Sequence, residues 1–477
     1  MTAAVHPDNR HLAERVARVV GLDIAEVDLV MPDISRSWRE VGGTVCQVNV
    51  QPGLDRYWQA DPGRDINGEI IDILFADRRT RIPTAAITGT DGKSTTATML
   101  HHIWMTTGAR AGLCATSVLR VGEEVISTEN LSGCPGSRIL LTDPGVEAAV
   151  IEMPRKGLIT LGHPCDRYDV AALLNIGDDH IGVDGIETLE QMAELKAEVL
   201  QRATNAVVVN AEDPLALAMR SRAGTDRHIL VARQANSVAS HRREGGEAVF
   251  LAERDGQPWI VIAGGGEETM LMPTHEIPAT MNGLLRFNET NAMFATALAW
   301  AQGIDTATIR RALGSFHNSF EQNPGRYNFF EGLPFQVLLD YAHNPGEVAE
   351  ICRVVSDLPV TGRRIVCTSH IGNRHAAQAI QIAPMLATTF DEFVLSCYAW
   401  RVMHNADYAG DDPVGTMLSM TRRLLLEDGV EEDRITTERD PGPAVRTALA
   451  LARPGDLVVL LTEPSDAMPH LAALAER

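Results

Sequence analysis

Between residues 81 and 210, short apolar runs at 84–88, 148–152, 170–175 and 206–210 alternate with helical patterns at 94–104 and 188–203. Continuous apolar runs of this length read as strands covered on both faces, and their alternation with helices predicts a doubly wound parallel sheet. Such sheets bind ligands beyond the carboxyl ends of their strands. A second set of runs, at 335–340, 364–369, 392–396 and 456–461, predicts a smaller Rossmann-like domain beginning near residue 323. Between the two sets, residues 224–278 are glycine-rich with short alternating runs, which predicts antiparallel strands attached to the central domain. The first eighty residues differ, with strands expected at 27–30 and 44–50 and a helix at 65–74. The expected organisation is α/β: a small α+β segment over 1–80, a doubly wound central domain over 81–322 and a Rossmann-like domain over 323–477.

One strand-to-helix junction carries the clearest chemistry. Thr84-Ala-Ala-Ile-Thr-Gly-Thr-Asp-Gly-Lys-Ser-Thr-Thr is a buried strand entering a glycine loop and then a helix. Gly89 and Gly92 let the backbone turn its N–H groups inward, Lys93 offers charge to β- and γ-phosphates, and the Ser94 hydroxyl can ligate Mg²⁺. Gly89, Thr90, Asp91, Gly92, Lys93, Ser94 and Thr95 together form the expected ATP grip of a P-loop domain. The general pattern wants a further glycine where Ile87 stands, so the loop is a compact variant.

Composition narrows the partners. Lys and Arg number 42 against 63 Asp and Glu, a formal charge of -21, which opposes non-specific binding to nucleic acid or an anionic membrane. No apolar run reaches the length of a membrane span and no leader pattern opens the chain, so a cytoplasmic protein is expected. The seven cysteines are scattered without a C-x-x-C pair and read as reduced packing residues.

Further candidates sit at strand ends. Glu152 closes the strand Ala148-Ala-Val-Ile-Glu, a position from which a carboxylate binds the nucleotide's Mg²⁺ directly or through water, and His180 follows another buried strand toward the same crevice. Lys196, within Glu190-Gln-Met-Ala-Glu-Leu-Lys, reads by spacing alone as a solvated helix lysine. Asn288 and Asn291 stand about one turn apart at the entrance to an alanine-rich helix, where amides cap the helix or read a base edge. Arg326, in Asn323-Pro-Gly-Arg, could meet phosphate, and Asp340, at the end of the next strand, ribose hydroxyls.

In order along the chain, G-T-D-G-K-S-T-T, the strand ending in Glu152, D-D-H ending at His180, Lys196, F-N-E-T-N, N-P-G-R and D-Y-A-H-N-P resemble the motif series of the Mur ligase family. Within that family, Phe320-Glu-Gln-Asn-Pro-Gly-Arg-Tyr-Asn-Phe-Phe is most similar to the C-terminal half of the cyanophycin synthetases. The resemblance implies an ATP-dependent ligase that joins an amino-acid-like amine to a small carboxylate through an acyl phosphate. It implies catalytic roles for Lys93, Glu152, His180 and Lys196, with one Mg²⁺ held by Ser94 and Glu152 and a second near His180. Lys196 matches a family lysine that is often carbamylated. Asn288 and Asn291 would lie near adenine, while Arg326, Asp340 and His343 bring the C-terminal domain to the nucleotide as the domains close.

Residues 9–15, 27–30 and 47–53 resemble the closing segment of the synthetases' ATP-grasp domain, most of which is missing here. Gln47 stands where that segment carries a metal-binding Glu, so this remnant is expected to lack ATP-grasp activity and to serve structure or assembly. Other departures bear on the substrate. After Glu152 the chain reads Met153-Pro-Arg-Lys-Gly where the synthetases usually have A-R-G-G, and Asn373 replaces an acid before Arg374. Arg138, Arg155, Lys156 and Arg374 are the candidate substrate contacts, and a single condensation is expected rather than polymerisation. The expected partners are small acids and amines, with no nucleic acid or membrane, and a homo-oligomer is compatible with the sequence. The alternative is a catalytically silent nucleotide-binding subunit that supports a partner enzyme.

Overall fold

The computed structural model describes residues 4–76, 80–178, 181–182, 184–330, 332–369, 376–403 and 405–475. His180, Asn373 and Arg374 lie outside the described residues. The chain divides into two compact units, Met1–Arg81 and Ile82–Arg477.

In the first unit, strands Glu26–Val30 and Thr44–Asn49 pair antiparallel, accompanied by helices Pro7–Val20, Trp38–Val41, Leu54–Ala60 and Ile66–Phe75. The long first helix adds to the elements expected from sequence. Its buried Asn9 donates to the carbonyls of Ile34 at 2.9 Å and Arg36 at 2.8 Å and accepts from the Trp38 N–H at 2.9 Å. A polar clasp thus ties the helix to the chain after the first strand. Val19, Trp58, Ile71 and Ile73 of this unit are exposed.

The second unit carries two sheets. The larger has eleven strands among the described residues, in the order Glu267–Pro273, Gln257–Gly264, Glu247–Arg254, His228–Ala232, Ala203–Asn210, Tyr168–Leu173, Thr84–Thr88, Ala148–Glu152, Ala111–Ala115, Val118–Val121, Glu124–Ser127. The expectation for 224–278 is corrected in part. His228–Ala232 runs parallel to Ala203–Asn210, and Glu247–Arg254 runs parallel to His228–Ala232. Within 224–278 only the pairs that Gln257–Gly264 makes on its two sides are antiparallel. The physical reason is the short helix Ala239–Arg243, which returns the chain for a parallel crossover.

Thr84–Thr88 is fully buried and lies between Tyr168–Leu173 and Ala148–Glu152, both parallel to it. The register sets Ile87 beside Glu152 and Thr88 beside Leu173, so three strand ends converge where the connections change direction. Helix Lys93–Thr106 leaves this point and buries Met99, Leu100 and Ile103 in the core beneath helix Arg286–Ala301. Leu100→Ala is expected to lower stability by about 2–5 kcal/mol, as measured by denaturant unfolding.

The smaller sheet runs Asn328–Phe330, Gln336–Asp340, Leu457–Leu461, Arg364–Thr368, Glu392–Leu395, Ile435–Thr437. All neighbours are parallel except the first pair. The two edge strands, Asn328–Phe330 and Ile435–Thr437, are only three residues each, too short for a periodicity to single them out. All seven cysteines are free thiols, five of them buried. Among the described residues, no helix is long and apolar enough to cross a membrane.

Candidate functional site

A cleft of about 770 Å³ opens at the carboxyl end of Thr84–Thr88, between the two sheets of the second unit. Its size is that of a small-molecule site. Gly89 to Thr95, Glu152, Lys196, Asn288, Asn291, Arg326, Asp340 and His343 line it, together with Arg155 and Lys156 on one wall. Arg138 does not line it. That residue lies on the exposed face of helix Cys134–Thr142, because the helix turns Cys134, Ser137 and Leu140 inward.

The loop's shape depends on its glycines. Gly92 has φ +82° and caps the helix Lys93–Thr106, and a Cβ there would collide with Asn291 Oδ1. A Cβ on Gly89 would stand 2.9 Å from Leu174 Cβ. No side chain caps the helix, so its first N–H groups face the cleft as an anion cradle. Lys93 Nζ donates to the Thr90 carbonyl at 2.7 Å, folding over the loop it belongs to.

Asn175 organises this loop from the neighbouring strand end. Its Oδ1 accepts the Thr90 N–H at 2.8 Å and the Asp91 N–H at 2.9 Å, while its Nδ2 donates to the Asp91 carbonyl at 3.2 Å. Sequence reasoning did not single Asn175 out, although a polar residue directly after the buried run Val170 to Leu174, next to the P-loop strand, was the available signal. Asn175→Ala is expected to raise the KM for ATP about tenfold, the equivalent of one or two net hydrogen bonds. Steady-state kinetics at varied ATP check this.

Glu152 is 1% exposed. Its carboxylate accepts the Ser94 hydroxyl at 2.8 Å and both the N–H and hydroxyl of Thr116 at 2.8 Å. Thr116, unremarked in the sequence, therefore fixes the carboxylate, and Ser94 stands as its exchangeable partner. This hard-oxygen pair fits a Mg²⁺ that shares phosphate oxygens. Among the described residues no group of three or more His, Cys, Asp or Glu gathers as a protein-only metal centre.

Lys196 departs most from its reading by spacing. It is 2% exposed and donates to Thr90 Oγ1 at 2.8 Å. It occupies the buried face of helix Leu189–Gln201 with Met192, Ala193, Ala197, Val199 and Leu200. The i, i+4 alignment with Met192 and Leu200 is the signal that spacing offered. Burial, reinforced by the nearby Lys93 charge, lowers its pKa to about 7.

The second sheet closes the opposite wall. Arg326 Nη2 approaches Ser94 Oγ at 3.4 Å. Asn344, which caps helix Pro345–Asp357, donates to Asp91 Oδ1 at 3.1 Å. Thr98 donates to Asn323 Oδ1 at 3.1 Å, tying the P-loop helix to the interdomain linker. Asp340 accepts the Tyr327 N–H at 2.9 Å and the Ala342 N–H at 2.7 Å, and burial raises its pKa to about 6 although Arg326 opposes the shift. His343 lies 3.0 Å from both the Tyr341 carbonyl and the Glu347 carboxylate. Asn291 donates to Asn288 Oδ1 at 3.1 Å and accepts from Thr96 at 3.3 Å, and Asn288 donates to the Ala279 carbonyl at 2.7 Å. These two amides line the cleft and also brace the P-loop helix.

A phosphate loop on one α/β domain, faced by an arginine and a helix cap from a second, defines a two-domain nucleotide-dependent enzyme. The chain matches the Mur ligase middle domain over residues 87–299 and the Mur ligase, glutamate ligase domain over residues 325–462. It belongs to the Mur ligase family of ATP-dependent ligases, which use ATP and Mg²⁺. Cyanophycin synthetase of Geminocystis herdmanii is 32% identical over 471 residues, which are 97% of this chain and 52% of that protein. UDP-N-acetylmuramoyl-L-alanyl-D-glutamate--2,6-diaminopimelate ligase of Geobacillus kaustophilus is 27% identical over 409 residues, covering 82% of this chain and 76% of that protein. The chain spans about half the length of the cyanophycin synthetases it matches. Among solved structures, E. coli FolC in complex with DHPP and ADP aligns with a TM-score of 0.58 at 16% identity, covering 83% of this chain and 89% of that one. MurF from Acinetobacter baumannii aligns at 0.56 with 19% identity, covering 83% and 77%. Both likenesses show the fold.

Proposed function

We propose that this chain forms an amide or isopeptide bond at the cost of ATP, joining an amino-acid-like amine to a small carboxylate through an acyl phosphate. The observation that carries the reading is the convergence of Lys93, the Ser94 and Glu152 pair, buried Lys196 and Arg326 on one cleft. A substrate carboxylate oxygen attacks the γ-phosphorus, the bond to the bridging oxygen breaks and ADP leaves. The amine then attacks the acyl carbon, and phosphate departs as the tetrahedral adduct collapses. Lys93, Arg326 and the helix N–H groups neutralise the charge that develops on the phosphoryl oxygens. Mg²⁺, when bound, neutralises phosphate charge further, and Ser94 and Glu152 are the residues that would hold it. His180 is read as a holder of a second Mg²⁺ from the family motif alone.

Lys196 is read as carbamylated. Only a neutral amine reacts with CO₂, and a pKa near 7 leaves a large neutral fraction at physiological pH. Asn288 and Asn291 are read as neighbours of the adenine, and Asp340 and His343 as neighbours of the ribose side. The first 81 residues are read as related to the end of an ATP-grasp domain.

Phosphate release from ATP, with Mg²⁺ and bicarbonate and a panel of acids and amines, tests the reading against Lys93→Ala. Release that depends on both an acid and an amine supports the ligase. Release no higher than the Lys93→Ala control for every pair would give way to the silent nucleotide-binding subunit.

A further inference from the structure

The first unit buries almost nothing of its own. Among its described residues only Asn9 and Ser37 are buried, and both are polar. Its sheet has two strands, each with one edge unpaired among the described residues. A two-stranded ribbon without a covered apolar face is marginal in water. Helix Ile66–Phe75 shows the same deficit. It is apolar nearly all round, with Ile66, Ile70 and Leu74 half-buried and Ile71, Ile73 and Phe75 exposed, and no residue of it is buried. A helix of that composition belongs between two packed layers.

The open surface carries a hole and a knob. The hole is a groove of about 390 Å³ between helix Pro7–Val20, the first strand and helix Ile66–Phe75. Ala13, Ala17, Ile24, Val27, Ile70 and Ile73 line it, and the acids Glu14 and Asp23 also reach it. The knob is Trp58, 63% exposed beside Tyr57 on helix Leu54–Ala60, which packs on helix Ile66–Phe75. An indole offers an apolar body and one N–H donor, and small apolar walls with a carboxylate acceptor suit both. Trp58 does not line the groove of its own copy. One unit thus holds both halves of a contact, and a two-fold axis brings each knob to the other copy's hole. The area agrees. Tyr57, Trp58, Ile71, Ile73 and Phe75 are each about half exposed or more. At roughly 100 Å² apiece they present on the order of 500 Å². A standard interface buries about 800 Å² per partner, of which about 450 Å² is non-polar. We infer that two copies of this chain associate through the first unit, with Trp58 of each copy seated in the groove of the other and the two Ile66–Phe75 helices packed between them.

Sedimentation velocity of the full chain over a concentration series reads the association. The expected result is a dimer, with amide hydrogen exchange slowed across residues 54–75 as the dimer forms. Trp58→Ala and Ile73→Asp each raise the dimer dissociation constant about 30-fold or more, the loss of one central anchor. Both positions are exposed, and an unchanged thermal midpoint shows that the variants fold. Ile380→Asp, at an exposed apolar position of the second unit, leaves the dimer as it is. A chain that stays monomeric at every concentration overturns the inference, whether residues 54–75 are then protected by another part of the same chain or left open to a different partner. A dimer indifferent to both variants overturns it equally, because the copies then meet through another face. If either variant fails to fold, exchange in the parent still decides: no gain of protection at 54–75 with concentration overturns the inference.

Discussion

Replacing Lys93 by alanine is expected to lower ATP-dependent turnover by about 10²- to 10³-fold, the loss that follows removal of one preorganised electrostatic contact to a transition state. The loop holds Lys93 in place before any nucleotide arrives, through the Thr90 carbonyl at 2.7 Å. The same loop is pinned by Asn175, so little reorganisation is left for the reacting state. The loss should fall on kcat as well as on the KM for ATP, since charge on the phosphoryl oxygens grows between ground and transition state. Lys93→Arg should recover little of it, because a planar fork does not replace a compact ammonium within a tight loop. Rapid-quench measurement of ADP formation, with the thermal midpoint as a fold control, checks both variants. A Lys93→Ala enzyme within about tenfold of the parent would remove this residue from catalysis.

Lys196 carries the second large effect. Lys196→Ala is expected to reduce turnover by a factor on the order of 10²–10³, with partial recovery on adding acetate or formate, which would stand in for the proposed carbamate. Depleting CO₂ should inactivate the parent reversibly, and bicarbonate should restore it. A carbamate resonance from ¹³C-bicarbonate, absent in Lys196→Ala, provides a readout apart from activity. The pH dependence follows from the lowered pKa. Below about 7 the amine is protonated and does not react with CO₂, so activation by bicarbonate should be slow there and quicken as pH rises through 7.

Stability has its own sign. The folded pKa of about 7 lies below the ordinary lysine value of 10.5, so between these limits the unfolded chain binds more protons. Burial of the free amine therefore destabilises the fold below pH 7, and that penalty fades as pH rises toward 10.5. Lys196→Met should accordingly be at least as stable as the CO₂-depleted parent at pH 6 while remaining inactive. Denaturant unfolding at pH 6 and at pH 9 tests this, and a Lys196→Met protein less stable than the parent at pH 6 would contradict the assignment of a buried, costly amine.

The strand runs at 84–88 and 148–152 could be read from sequence because complete burial requires uninterrupted apolar residues, and both strands fall on those bounds. The glycines of the loop were legible for a related reason: at Gly92 a positive φ and a close neighbour both exclude a side chain. What spacing alone misjudged was Lys196, since one polar residue on an apolar stripe does not reveal whether the helix buries it or lets it reach water. Thr116 was silent and Asn175 signalled only by its place after a buried run, because an isolated Thr or Asn at a strand end is ordinary turn chemistry until its partner is known.

By itself, then, the order of residues determined the α/β class, the phosphate loop and the linear series of motifs, all of which depend on local periodicity and backbone geometry. Tertiary structure decided the rest. It placed Glu152 under Thr116, Asn175 against the loop, Lys196 on Thr90 and Arg155 on Asp184. These pairings join residues separated by 29 to 106 positions. They arise from the order in which strands assemble into the sheet, and no short-range pattern encodes that order.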